Sequence, residues 1–210
     1  AGILGFSSFG KHHKYLLDDN LNLDISELKI ALEQNENNPL LIFGFTFLVW
    51  QQFYQCIQDS KIDINFPKDT VLIHGGGWKR LHDSRVDNLR FKNSLNELGI
   101  SKVYDYYGMI EQTGSIFVEC DKGYLHCSDY SDIIARDELT LEALNFNEQG
   151  ILQVLSLLPS SYPGNSILTE DIGKIIGEDD CQCGKKGKYF LVSGRMKQSE
   201  VRGCSDTRAV

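Results

Sequence analysis

The sequence predicts an α/β protein in two parts: a parallel-sheet subdomain over residues 1–115, then a smaller antiparallel or barrel-like β subdomain over residues 116–210. Two observations predict it. Before about residue 115, strand-length apolar runs alternate with helical patterns, the order that builds a parallel sheet. Beyond it, short apolar runs follow one another, split by Gly, Asp and Asn, which is antiparallel character. The size agrees, because 210 residues at 41% hydrophobic can bury a core without crosslinks.

Each element has its own signal. Asp24 and Glu27 make a capping-box pattern ahead of "ISELKIALEQNENN", a helix of about ten residues with Pro39 beyond it. "LLIFGF" is a short buried strand, and "TFLVWQQFYQCIQ" an apolar, aromatic-rich helix that places Cys56 in the core. "DTVLIHGGG" is a strand over residues 70–74 running into three glycines. "SRVDNLRFKNSLNELG" is a helix with Phe91, Leu95 and Leu98 at helical spacing and Gly99 at its end. "SKVYDYYG" is a strand that reaches a glycine turn. Then come the short strands "SIFVEC", "YLHCSD", "SDIIAR", "GILQVLSLL", "GKIIG" and "KYFLVSG".

Composition excludes some functions. There are 21 Lys and Arg against 29 Asp and Glu, a net charge of −8, with no block of like charge. That argues against a nucleic-acid surface and a polybasic membrane anchor. The longest apolar run, residues 40–50, is too short to span a bilayer. No signal-peptide pattern opens the chain, so the six cysteines are expected reduced, in the cytoplasm. The first residue is Ala1, as in a processed product or a fragment.

Four segments can do chemistry. In "LIHGGGWKR", Gly75, Gly76 and Gly77 let bare backbone approach a flat or anionic ligand, or simply make a tight turn. In "YDYYGMIEQTGS", Tyr107 can stack on a base or pack in the core, and Glu111 can hold Mg²⁺ as a hard oxygen ligand or lie exposed. In "ILTEDIGKI", Asp171 can accept from a ribose diol or serve a turn. In "LVSGRMKQSEVRGCSD", Arg195 ends a strand, Lys197 follows, and Cys204 lies beside Arg202 near the end.

Taken in order, these segments resemble the adenylate-forming superfamily, and "GRMKQSEVRGCSD" resembles the LuxE-type acyl-protein synthetases, relatives of phenylacetate-CoA ligases. The resemblance runs from about residue 40 onward. It implies a partial adenylate-forming fold, with Gly75–Gly77 against adenine, Tyr107 on the base, Glu111 on magnesium, Asp171 and Arg195 on ribose, and Lys197 at the superfamily's hinge position. It implies a ligase that uses ATP and Mg²⁺ to turn a carboxylic acid, a fatty acid by this resemblance, into an acyl-adenylate, and then transfers the acyl group to a protein thiol. An acyl-protein reductase would be the partner. Coenzyme A as the acceptor, and a zinc-stabilised binding module without catalysis, are the alternatives. The superfamily's upstream phosphate loop has no counterpart here, so the chain is expected to be the C-terminal portion of a longer protein.

Cys204 is the expected acyl acceptor, since a thiol on a terminal tail can collect cargo and present it elsewhere; a buried residue in a docked strand is the other reading. Finally, "ECDKGYLHC" and "DCQCGKKG" supply Cys120, His126, Cys181 and Cys183, a closed tetrahedral set for structural Zn²⁺, with Cys127 as an alternative to His126. Some phenylacetate-ligase-like relatives have a similar arrangement. Four unrelated buried residues would look the same in sequence.

Overall fold

The computed structural model describes residues 2–78 and 86–196. The chain divides into two compact units, Ala1–Tyr104 and Asp105–Val210. That division falls earlier than residue 115, because the last residues of the third strand pair with the antiparallel strand after them.

In the first unit, α1 (Gly2–Ser7) stacks Phe6 on Phe43, with ring centroids 4.6 Å apart. In α2 (Ile25–Gln34) the Asp24 carboxylate accepts from the Glu27 N–H at 2.9 Å and caps the helix. Only half of the expected capping box forms. The Asp24 N–H donates to the Leu16 carbonyl, and Glu27 instead pairs with Lys14. Strands β1 (Leu41–Phe45) and β2 (Val71–Gly75) are parallel, in register from Leu41 opposite Val71 to Phe45 opposite Gly75.

The aromatic helix between them is continuous but not uniform: α3 (Thr46–Leu48), a π segment (Val49–Gln55), then α4 (Cys56–Ser60). Hydrophobic spacing does not separate α from π over two turns. Val49, Trp50, Phe53 and Ile57 are buried from it. Cys56 is half-buried, its thiol directed at the Gln51 carbonyl. Helix α5 (Asn88–Glu97) is capped by the Asp87 carboxylate on the Arg90 N–H and buries Phe91 and Leu95 in the same core as Leu28, Trp50 and Leu72. Gly99 follows at φ +92°, a left-handed position that ends the helix.

Strand β3 (Lys102–Tyr107) neighbours β2 and leads into the second unit, where the strand order is β3-β4-β5-β9-β8-β7-β6. These strands are β4 (Phe117–Glu119), β5 (Leu125–His126), β6 (Ser131–Arg136), β7 (Gly150–Ser156), β8 (Ser166–Glu178) and β9 (Lys188–Arg195). Every pairing from β3 onward in this unit is antiparallel. The short strand read from the sequence as "GKIIG" is the later part of one strand of 13 residues, which begins at Ser166 and takes in Asp171. Phe117, Ile133, Leu152, Val154, Ile175 and Phe190 form this unit's core. No helix among the described residues is long and apolar enough to cross a membrane.

Candidate functional site

The second unit gathers three of the expected residues through an irregularity in β8. Ile151 pairs with Ile172, and Gln153 pairs with Leu168, so one residue of β7, Leu152, faces three of β8: Thr169, Glu170 and Asp171. A bulge of this kind re-aims side chains. Thr169 takes over the interrupted ladder. Its hydroxyl donates to the Leu152 carbonyl at 2.7 Å and accepts the Asp171 N–H at 3.0 Å. On the other side Asp171 lies opposite Arg195 of β9, where Ser193 is the extra residue between the pairs Ile172–Gly194 and Gly173–Val192.

Asp171 is held by its neighbours. The Tyr107 hydroxyl donates to its Oδ2 at 2.7 Å, and Arg195 Nε lies 3.4 Å from its Oδ1. A second guanidinium nitrogen of Arg195 donates to Glu170 at 2.6 Å. The Tyr107 ring packs 6.0 Å from both Phe117 and Phe190, so one part of this side chain is core and its tip is polar. Burial raises the Asp171 carboxyl above the usual range; the Tyr107 bond and Arg195 oppose this, while Glu170 and Glu111 add to it. Burial, then the adjacent carboxylate, pushes the Tyr107 phenol upward too, so it stays a donor.

Glu111 lies exposed in a 3₁₀ turn, Ile110–Gln112, within electrostatic reach of Asp171. Gln112 fixes that turn. It is fully buried, and its side-chain amide donates to the Gly164 carbonyl at 2.7 Å and to the Val154 carbonyl at 3.3 Å. Ser115 donates to Ser156 at 2.7 Å nearby. Sequence reasoning missed both, for a polar residue in a glycine turn reads as exposed. Beside Arg195 is a cavity of about 680 Å³, lined in part by Glu138, Gln149, Ile172, Ser193 and Met196.

The glycine turn belongs to the first unit. Gly76 and Gly77 have φ of +79° and +64° and lie exposed. A Cβ on Gly76 would stand 3.0 Å from the Phe45 ring, whereas nothing lies within 4 Å of one on Gly77. Behind the turn, Thr46 donates to the Gly75 carbonyl at 3.1 Å and lies 3.0 Å from His74 Nδ1. Burial lowers the His74 pKa to about 3. Lys197 and Cys204 lie outside the described residues.

The Cys–His set meets at one end of the β8–β9 hairpin. The ligand atoms of Cys120, His126, Cys181 and Cys183 all lie within 4.8 Å of one another, with Cys183 Sγ 3.4 Å from His126 Nε2. Cys120 and His126 flank the β4–β5 turn; Cys181 and Cys183 lie in the β8–β9 turn, and β5 pairs with β9. Cys127 is not in the cluster, and burial pushes its thiol up to about 12. Burial lowers the His126 pKa, which keeps the imidazole in its neutral, ligating form. The Cys181 thiol is raised to about 11, first by burial. For Cys183 the Lys185 N–H and the neighbouring thiols outweigh burial and lower it. Three thiols and a neutral imidazole at this spacing fit a tetrahedral metal, whose ligand atoms stand about 3.5–3.8 Å apart for zinc bond lengths.

Comparison with known proteins places these features in context. Residues 3–209 match the family model described as "Acyl-protein synthetase, LuxE". A long-chain-fatty-acid–luciferin-component ligase of Aliivibrio fischeri is 24% identical over 178 residues, covering 82% of this chain and 46% of its own. The protein of the same name from Vibrio harveyi is 26% identical over 145 residues, covering 67% and 37%. This chain thus spans less than half the length of these relatives. Among solved structures, a 2-hydroxyisobutyryl-CoA ligase in complex with 2-HIB-AMP and CoA is similar at a TM-score of 0.63 and 18% identity, over 82% of this chain and 39% of that one. O-succinylbenzoate coenzyme A synthetase from Bacillus subtilis, in complex with ATP and magnesium, gives 0.54 and 16%, over 82% and 34%. At such identities the likeness is one of fold.

Proposed function

The chain belongs to the LuxE acyl-protein synthetase family, and on that premise we propose that it is part of an ATP-dependent ligase that activates a long-chain fatty acid and transfers the acyl group to a protein thiol. The observation that supports this best is the meeting of Tyr107, Asp171 and Arg195 at the β8 bulge, with Glu111 in reach. Asp171 offers a carboxylate to the hydroxyls of a ribose, and Arg195 brings a cation to the same face. Gly77 offers bare backbone to a flat base.

A carboxylate is a poor electrophile, so activation comes first. A carboxylate oxygen of the acid attacks the α-phosphorus of ATP, the bond to the pyrophosphate oxygen breaks, and an acyl-adenylate forms. A thiolate then attacks the acyl carbon and AMP leaves. Glu111 is a hard oxygen donor suited to Mg²⁺, which would neutralise phosphate charge. Cys204 is the proposed acceptor thiol. A thioester on it is labile enough to pass the acyl group to a reductase that makes the aldehyde. The Cys120–His126–Cys181–Cys183 set is proposed to hold Zn²⁺ structurally, all four positions being filled by protein.

The test uses the full-length protein. ATP–pyrophosphate exchange with a panel of fatty acids should be chain-length dependent, and labelled acid should appear as a hydroxylamine-sensitive adduct. In Cys204→Ser the adduct should vanish while exchange persists. Label retained in that variant, or carried only by coenzyme A, would remove Cys204 from the reaction.

A further inference from the structure

Tyr107 is expected to matter as a ring, yet its hydroxyl makes the more specific contact. It reaches from β3 to Asp171 on β8, 64 residues away, and donates to Oδ2 at 2.7 Å. We propose that Tyr107 acts through this hydroxyl as a positioning residue, fixing the Asp171 carboxylate to accept from a vicinal diol of the ligand. The inference rests on the nucleotide reading above, in which Asp171 already meets the ribose hydroxyls, and adds to it the role of the Tyr107 hydroxyl.

The argument begins with what holds Asp171. Its backbone is pinned from below: the Asp171 N–H donates to Thr169 Oγ1, and that hydroxyl donates to the Leu152 carbonyl. A pinned backbone does not fix χ1 and χ2. The other groups near the carboxylate are loosely held, since the Arg195 side chain is 45% exposed and its partner Glu170 54%. Among the described residues, Tyr107 is the half-buried phenol that donates to this carboxylate, and its ring packs against the Phe117–Phe190 pair, whose own rings are 5.2 Å apart. The phenol therefore sets the carboxylate plane.

The same geometry selects the ligand chemistry. An ionised carboxylate has about four acceptor positions. The phenol takes one on Oδ2, and the Arg195 Nε–H, 3.4 Å away, faces one on Oδ1. About two remain, one on each oxygen, which suits two adjacent hydroxyl donors. Glu170 and Glu111 disfavour an anion at this point, and Arg195 disfavours a cation. A neutral diol is the group that fits.

Two measurements on the full-length protein test this. In the first, calorimetry compares ATP with 2′,3′-dideoxy-ATP, which lacks the diol. Wild type should prefer ATP. Tyr107→Phe, which keeps the ring, should weaken ATP by roughly tenfold, as expected for a hydrogen bond to a charged group, and narrow the preference. Asp171→Asn should abolish the preference, and the double variant should be no worse than Asp171→Asn alone. If Tyr107→Phe binds ATP as wild type does, or loses both nucleotides equally, the proposal is overturned.

In the second, carbon-13 NMR follows the Asp171 carboxyl through a pH titration without nucleotide. Tyr107, Arg195, Glu170 and Glu111 face this group. Loss of the phenol removes a donor that favours the ionised form, so the midpoint should rise. An unchanged midpoint would sink the positioning role whether or not ATP binds. A wild type that binds no ATP overturns the nucleotide reading and the diol with it, while the NMR result still decides whether the hydroxyl sets the carboxylate.

Discussion

His74 shows how one buried side chain makes a unit pH-sensitive. It is 3% exposed, packs 4.4 Å from the Phe91 ring centroid, and has its pKa lowered to about 3, chiefly by burial and then by Lys92. The unfolded chain takes up this proton near pH 6.5 while the folded chain refuses it until about pH 3. Its contribution is therefore full above pH 6.5 and shrinks as pH falls through that window, by about 1.4 kcal/mol per unit, or about 2 kcal/mol at pH 5. Both tryptophans of the chain, Trp50 and Trp78, lie in the first unit, so their fluorescence during urea unfolding reports on it. The midpoint should drop between pH 7 and pH 5 in the wild type and much less in His74→Gln. An equal drop in both would place the proton elsewhere. Sequence alone did not single out His74, because a histidine at a strand end carries no mark of its depth.

Among the elements, α2 depends on a cap and β8 on a bulge, and only the first was legible. The Asp24 pattern is local, and the helix starts where it says. Asp24→Ala should cost about 1 kcal/mol of first-unit stability, read as a lower urea midpoint with an unchanged slope, whereas Glu27→Ala should cost less because the reciprocal bond of the box is not made. Equal losses would mean that both halves of the box operate in solution. The strand-and-helix order before residue 115 was readable for the same reason: each run carries its own period. The Thr169–Glu170–Asp171 bulge was not, since it is defined by a partner, Leu152, that lies 17 residues away from Thr169. The Tyr107 hydroxyl and buried Gln112 were hidden likewise, their partners lying 64 and 52 residues off. Type and order of residues gave the candidates; pairing decided which of them touch.

For the molecule as a whole, the hairpin of β8 and β9 has a candidate metal set at its turn and the Asp171–Arg195 pair at its open end. Glu178 lies seven residue steps along β8 from Asp171, a span of roughly 23 Å. Protein purified without chelator should contain one equivalent of zinc by elemental analysis. Removing it should lower the melting temperature of the second unit and leave tryptophan-reported unfolding of the first unit nearly unchanged. Cys183→Ser should mimic removal. Metal-free protein that melts like the starting material would leave the four side chains as ordinary core.

Glycines 150 and 173 face each other across β7 and β8. A Cβ on Gly150 would stand 2.2 Å from the Arg136 carbonyl oxygen, and one on Gly173 would stand 2.3 Å from that of Leu191. Neither obstacle is a flexible tip; both are main chain. Read as genetics, this makes two codons unforgiving. Every amino acid reachable from a glycine codon by one base change has a Cβ, so alanine is no milder a lesion here than valine. In a saturation library selected for folded protein, both positions should be empty of all variants alike, with no gradient by size.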